Sequence, residues 1–324
     1  MKKTVLLSLF LAMIVIALGA YTRLTDAGLG CPDWPGCYGP SISKATENIE
    51  NVQPTLLDSP FDKHQVWNQL PHHYFVVALG FLIVVIFINS LFSKAYNKPV
   101  KLPFFLVILV CLQGALGMWT VTENLPPGVV MSHLLVGFTV ISSLFLLYLR
   151  LIPFRIPGGD AGMRRFGKYS ILGIIILTGQ IALGGWMSVN YAALACTELP
   201  ICEGTWYERL DLIGAFSIPD AENHVFGAHD DVQRITMHTV HRMGALITFL
   251  YLCWLSIRLY AGASSNLIKK LSIIMVLVLG AQISLGISNV VYSLPIAVAV
   301  MHNIVAACLM MVLVTISYTL YRKT

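Results

Sequence analysis

Four histidines of this 324-residue chain fall into two pairs at one spacing: His72 and His133 are 61 residues apart, and so are His241 and His302. Each lies in a long apolar run, within about two helical turns of one end of it. Ionisable groups inside a membrane are costly and mark function. Neutral imidazole ligates iron well, and histidines on two facing helices can supply both axial ligands of a haem. A single such histidine would be read as a hydrogen-bonded interior residue; two matched pairs at one depth point to ligation. Structural zinc fits less well, because zinc takes more than two protein ligands and no cysteine adjoins these histidines. Arg242 follows His241 and His73 follows His72, so a basic group stands near each candidate site for the propionates of a porphyrin. His238, one turn before His241 on the same face, is either a supporting partner or an interfacial residue. His64, His224 and His229 lie in polar stretches and are expected to be solvated.

The cysteines offer a second chemistry. Cys31 and Cys37 lie in GCPDWPGCYG, Cys196 and Cys202 in ACTELPICEG, and each pair is six residues apart. Both pairs fall in segments expected outside the membrane, where oxidising conditions let disulfides persist. Two local disulfides, Cys31–Cys37 and Cys196–Cys202, are expected; a reducible, thiol-transferring pair is the alternative. Cys111, Cys253 and Cys308 lie within apolar runs and read as packing residues.

The elements that position these groups are membrane spans. The chain is 56% hydrophobic and 11% charged, against about a quarter charged in a soluble domain. Apolar runs near 4–22, 72–93, 102–121, 129–150, 168–189, 237–259, 267–290 and 294–318 are each close to the roughly 20 residues a bilayer-crossing helix needs. The first run also resembles a cleaved signal peptide; its place in the repeat described next argues that it is retained as a span. The N-terminus, the segments 94–101, 150–168 and 258–270, and the C-terminus together hold 15 of the 21 Lys and Arg but one acid, Asp160. Cytoplasmic loops favour Lys and Arg, so both termini are expected in the cytoplasm, with long outer loops at 23–71 and 190–236. The net charge of +5 is therefore a topology signal and gives no reason to expect nucleic-acid binding.

The landmarks of the first half recur in the second. Gly19 precedes Cys31 by 12 residues, as Gly184 precedes Cys196. His72 precedes Gln113 by 41, as His241 precedes Gln282. Pro126 precedes His133 by seven, as Pro295 precedes His302. Each unit holds an even number of spans, so both copies insert the same way, as parallel repeats do. The expected fold is an all-α integral membrane protein of eight helices. It forms two tandem four-helix bundles related by internal duplication, residues 1–150 and 151–324.

Several long segments then resemble the haem A synthase family of cytochrome oxidase assembly: TRLTDAGLGCPDWPGCYG (22–39), LQGALGMWTVT (112–122), LPPGVVMSHLLVGF (125–138), VHRMGA (240–245) and LPIAVAVMHN (294–303). The likeness runs over nearly the whole chain. It implies haem b held in the C-terminal half by His241 and His302, and substrate haem O flanked in the N-terminal half by His72 and His133. It also implies oxidation of the C8 methyl group of haem O to a formyl group through hydroxylated intermediates. Partners implied are the haem O-producing enzyme and an electron donor, with a quinol as one candidate. The implied place is a bacterial inner membrane; bacterial rather than mitochondrial because no transit peptide precedes the first span.

One position departs from the family pattern E-x-x-H-R. The segment here reads Gln69-Leu70-Pro71-His72-His73, so a non-titrating amide stands where the family places a catalytic glutamate. Asp62 and Glu123 are candidate substitutes. The adjacent histidines also leave His73 open as a ligand, although the repeat spacing favours His72. The departure keeps other functions in view: a non-catalytic haem-binding or handover paralogue, a dihaem electron-transfer cytochrome, or a transporter using histidines as proton relays.

Overall fold

The computed structural model describes residues 1–29, 63–92, 99–152, 160–200, 202–204, 207, 210–218 and 227–322. Eight long helices carry the fold: α1 (Lys2–Leu24), α2 (Lys63–Phe92), α3 (Lys101–Thr122), α4 (Pro127–Leu151), α5 (Gly167–Val189), α6 (Asp231–Gly262), α7 (Asn266–Val291) and α8 (Ile296–Tyr321). All eight are long and apolar enough to cross a bilayer, and no strand occurs among the described residues. Cys31, Cys37, Asp62 and His224 lie outside the described residues.

The expected spans correspond to these helices with two extensions. α2 begins nine residues and α6 six residues earlier than the apolar runs. At α6 the reason is a capping box: the Asp230 side chain accepts from the Gln233 N–H at 2.8 Å, and the Gln233 side chain accepts from the Asp230 N–H. Polar first turns are therefore held in the helix beyond the apolar stretch.

The helix ends carrying the candidate site stop in one way. After α3, Asn124 and Leu125 take left-handed conformations (φ 55° and 60°), and the Leu125 N–H reaches back to the Thr120 carbonyl at 2.9 Å. Pro126 then caps α4. After α7, Ser293 and Leu294 do the same (φ 55° and 61°), Leu294 bonds Asn289 at 2.7 Å, and Pro295 caps α8. Asp26 after α1 and Tyr191 after α5 are left-handed too (φ 52° and 55°). Non-glycine residues adopt this region at a cost, yet here they occupy matching places in the two halves.

Packing closes two rings. α1 packs on α2, α2 on α3, α3 on α4 and α4 on α1; α5, α6, α7 and α8 close in the same order. The rings meet where α1 touches α8 and where α4 touches α5 and α8. Val5, Ile83, Leu106 and Ile141 fill the first ring, and Leu252, Met275, Leu309 and Leu313 the second. Between them, Phe138 packs on Ala306 and Ala307, small residues that let α4 and α8 approach. Phe10, Phe81, Ile175, Ile257 and Leu277 are exposed, as expected of surfaces that face lipid rather than water.

Candidate functional site

Each odd-numbered helix presents a glycine to the histidine of the next helix. A Cβ on Gly19 would stand 3.2 Å from the His72 ring; on Gly117, 3.3 Å from His133; on Gly184, 3.0 Å from His241; on Gly286, 3.2 Å from His302. A side chain at any of these positions would displace the ring, so glycine seats all four imidazoles against the neighbouring backbone. All four histidines are partly buried, and the Nδ1 atoms of His72, His133 and His302 are buried without a partner. His133 lies within electrostatic range of His72, and His302 of His241. The structure thus brings together the two pairs that the sequence matched.

One turn from each glycine sits a second group. Gln113 donates through Nε2 to the His133 carbonyl at 3.1 Å and meets the His133 ring at 3.2 Å. Gln180 donates to the His241 carbonyl at 3.0 Å and meets that ring at 3.1 Å. Gln282 meets the His302 ring at 3.1 Å. The fourth position is Val15, whose side chain cannot hydrogen-bond; its carbonyl lies near the His72 ring as those of Gln113 and Gln282 lie near His133 and His302. The sequence carried this signal in all four odd helices, as VIALG (15–19), QGALG (113–117), QIALG (180–184) and QISLG (282–286). The repeat spacing singles out Gln113, Gln282, Gly19 and Gly184 but passes over Gln180.

The C-terminal half is braced at the site. Cys196 and Cys202 form the expected disulfide. The loop it closes is fastened to α6 on both sides of His241. The Cys196 N–H donates to His238 Nδ1 at 3.3 Å, and Cys202 Sγ meets Thr239 Oγ1 at 3.4 Å. Arg242 donates to the carbonyls of Glu198 at 2.7 Å and Cys196 at 2.9 Å. His238, 2% exposed, is therefore a supporting partner of the loop. Arg242 has both terminal nitrogens on backbone carbonyls, and its buried Nε has no partner. Glu203 ties the loop internally, accepting from the Thr197 hydroxyl and from the Thr197 and Glu198 N–H groups. These bonds, the Thr197 hydroxyl first, hold its carboxyl down at about 2.

His229 departs from its expectation. It is 5% exposed, packs edge-on against Trp186, and bonds the Ser217 carbonyl at 3.2 Å. Trp186 anchors this cluster by donating to the Ala215 carbonyl at 2.8 Å. A polar neighbourhood in sequence hid a packed residue, because the loop folds back on the end of α5. His64 lies in the first turn of α2 rather than in a loop.

The two rings are joined beside the site. Arg23 pairs with Asp26 at 3.2 Å and lies over the Tyr191 ring at 4.1 Å. The Tyr191 hydroxyl donates to Asp26 at 2.6 Å. Burial and that carboxylate raise the tyrosine's pKa.

Known proteins resemble this chain along nearly its whole length. Residues 2–314 match the family of cytochrome oxidase assembly proteins. A haem A synthase of Shewanella oneidensis is 47% identical over 98% of this chain and 96% of its own length. The chain belongs to the haem A synthase family. More distant haem A synthases, of Rickettsia prowazekii (25% identical, 95% of this chain and 94% of theirs) and Nitrosospira multiformis (24%, 98% and 91%), align over nearly all of it as well.

Within a haem A synthase framework the departure at Gln69 can now be placed. Gln69 is 4% exposed, one turn before His72, and donates to the Gly28 carbonyl at 3.2 Å. Its Oε1 is buried without a partner. An acceptor, though not an acid, thus stands at the glutamate position. Glu123 lies at the end of α3, its backbone N–H bonded to the Trp119 carbonyl at 3.1 Å.

Proposed function

We propose that this protein is a membrane oxidoreductase that converts haem O to haem A for cytochrome oxidase assembly, by oxidising the C8 methyl group to a formyl group. Two pairs of imidazoles, each ring seated on a glycine of the neighbouring helix, are the observation that carries this reading. Nε2 of His133 and of His302 meets only the amide of Gln113 or Gln282, a contact each ring would exchange for an iron. Flat apolar helix surfaces on either side suit a porphyrin.

His241 and His302 would hold haem b in the C-terminal half, with the free Nε of Arg242 directed to a propionate. Bound there, haem b supplies one-electron transfer to and from the neighbouring site. His72 and His133 would hold substrate haem O in the N-terminal half. Gln69 would orient a reacting hydroxyl or water through its buried oxygen; lacking an ionisable group, it cannot take the proton as a base. The two halves are read as copies of one unit, 1–150 and 151–324. The matched left-handed residues and the equivalent closure of the two rings support that reading. The lysine and arginine distribution supports both termini on the cytoplasmic side, in what is read as a bacterial inner membrane. Dioxygen as the oxidant, an electron donor that reduces its second oxygen atom to water, for which a quinol is a candidate, and a haem O-producing enzyme complete the assignment.

The test is expression with a haem O supply, purification, and mass identification of extracted porphyrins beside an empty-vector control. Haem A in the extract is the expected result. Bound haem without conversion would favour a haem-handover protein, the reading that Gln69 supports. Colourless, folded protein from haem-replete cells would overturn both.

A further inference from the structure

The outer loop between α5 and α6 turns an apolar edge outward. Around the short helical turn Leu212–Ala215, Ile213 is 89% exposed and Ile218 65%, and Leu210, Leu212 and Phe216 are exposed as well. Water would drive such side chains inward, and a run of them marks a surface that something apolar covers. The polar groups of the same segment are turned to the protein instead. The Asp211 carboxylate accepts from the Gly214 N–H at 2.8 Å and from the Gln233 amide at 3.2 Å. The Asp211 N–H donates to the Thr236 hydroxyl at 3.1 Å, and the Ala215 N–H to the Asp211 carbonyl at 3.0 Å. The Ser217 N–H donates to the Gly214 carbonyl at 3.2 Å, and the Ser217 carbonyl meets His229 at 3.2 Å. Asp211 carries the one charge between 210 and 218, and it is engaged within the loop and with α6.

Trp186 fixes the depth of this edge. Its indole N–H donates to the Ala215 carbonyl at 2.8 Å. Trp186 lies three residues inside the end of α5 at Val189, about 4.5 Å along the helix axis. Ile218 meets the first turn of α4, 3.8 Å from the place of a Cβ on Gly128. The edge is therefore level with the outer ends of the spans and does not stand above them. α5 packs on α4 and on α6, and the loop covers the outer end of that row. Non-helical backbone is tolerated at such depth only where the protein satisfies its polar groups, as the bonds above do. Tryptophan is also the residue that favours this level of a bilayer.

We infer that residues 210–218 form an interfacial anchor, lying at the boundary between headgroups and acyl chains of the outer leaflet, with Leu212, Ile213 and Ile218 in contact with lipid. Depth and the paired backbone name lipid as the occupant: an aqueous loop needs neither. The anchor concerns this loop alone and stands apart from the haem sites proposed above.

The test places the photo-crosslinking residue p-benzoylphenylalanine at Ile213, Ile218 or Glu198 of the full-length protein in native membranes. Glu198, exposed in the disulfide loop, is the aqueous control. After irradiation, peptides carrying position 213 or 218 should gain the mass of a phospholipid, and the peptide carrying position 198 should not. A crosslink to residues 30–62 of the same chain, to a second copy or to another membrane protein would overturn the anchor and identify the true occupant. Probe left unreacted at both positions would place the edge in water and overturn it too. Depth is read separately. Ile213→Trp in lipid vesicles should add fluorescence that is quenched more strongly by lipids brominated near the headgroup end of the acyl chain than by lipids brominated near its tip. No quenching by either lipid would overturn the anchor. Should the probe at position 213 prevent accumulation of the protein, position 218 and the tryptophan variant decide.

Discussion

The two halves of the molecule build the same seat for an imidazole and fasten it differently. In the C-terminal half, α6 is held at His238, Thr239 and Arg242 by a disulfide-closed loop, and His241 is gripped by Gln180. In the N-terminal half the residue matching Gln180 is Val15, and the residue matching His238 is Gln69, which among the described residues bonds the Gly28 carbonyl through its amide nitrogen. Among the described residues, the C-terminal seat is thus braced by a loop and a glutamine, and the N-terminal seat lacks that glutamine; the contrast between the halves predicts more than their likeness does.

The contrast breaks most completely at the histidines. Alanine at His241 or His302 should abolish the low-spin b-type spectrum of the purified protein while eluting as folded protein. Alanine at His72 or His133 should leave that spectrum in place and abolish haem A in the extract. Loss of the b-type spectrum from the His72 variant would reverse the assignment of the halves.

The glycine seats give a graded version of the same experiment. A Cβ meets the ring at 3.0 Å at Gly184 and at 3.3 Å at Gly117. Both Gly184→Ala and Gly117→Ala ask the ring to give by tenths of an ångström, Gly184→Ala the more of the two. Haem occupancy measured by pyridine haemochrome should therefore fall further in Gly184→Ala, to under about half, with a loss of about 1 kcal/mol typical of mild overpacking. Equal occupancies would show that the glycines do not set the ring positions.

Much of this was legible in the sequence and some was not. Eight spans, the paired histidines and the Cys196–Cys202 disulfide follow from apolar run length, spacing and local cysteine separation, each of which is a one-dimensional property. His229 and Gln180 were hidden for opposite reasons. His229 sits among polar residues, and only the return of the loop over Trp186 buries it. Gln180 sits in a helix that is apolar nearly all round, so no periodicity separates the face toward lipid from the face toward α6. A polar residue in such a helix marks the inward face, and the repeated motif four residues before a glycine would have located it.

Next in size is the brace. Cys202→Ser opens a short ring whose closure is worth about 2 kcal/mol in chain entropy, and engineered losses are commonly of that order. Arg242 then loses a fixed set of carbonyls. Haem loss from the C-terminal site should quicken severalfold, as read by transfer to a scavenger, and loss from the N-terminal site should be unchanged. Equal acceleration of both would mean that the loop stabilises the whole bundle rather than one site.

The smallest effect is a pH dependence confined to the braced half. Burial holds the His229 imidazole below its ordinary pKa of 6.5. The folded protein keeps this ring neutral against Trp186, while the unfolded chain takes up a proton as pH falls past about 6.5. The unfolded state then binds more protons, so stability declines from that pH downward until the folded ring is protonated too. His229 by itself contributes at most about 1.4 kcal/mol per pH unit to the slope. Glu203 works in the opposite sense of charge but the same direction of pH. Its carboxylate, held at about 2, stabilises the disulfide loop above the ordinary carboxylate range and loses that contribution as pH falls toward 2. The two are separable by window: acidification from 7 to 5 should lower the melting temperature with His229 as one contributor, whereas Glu203 acts only at lower pH. His229→Gln should flatten the profile over that range without touching the porphyrin spectrum. A profile that stays steep in His229→Gln would place the titrating group elsewhere and detach this cluster from the stability of the loop.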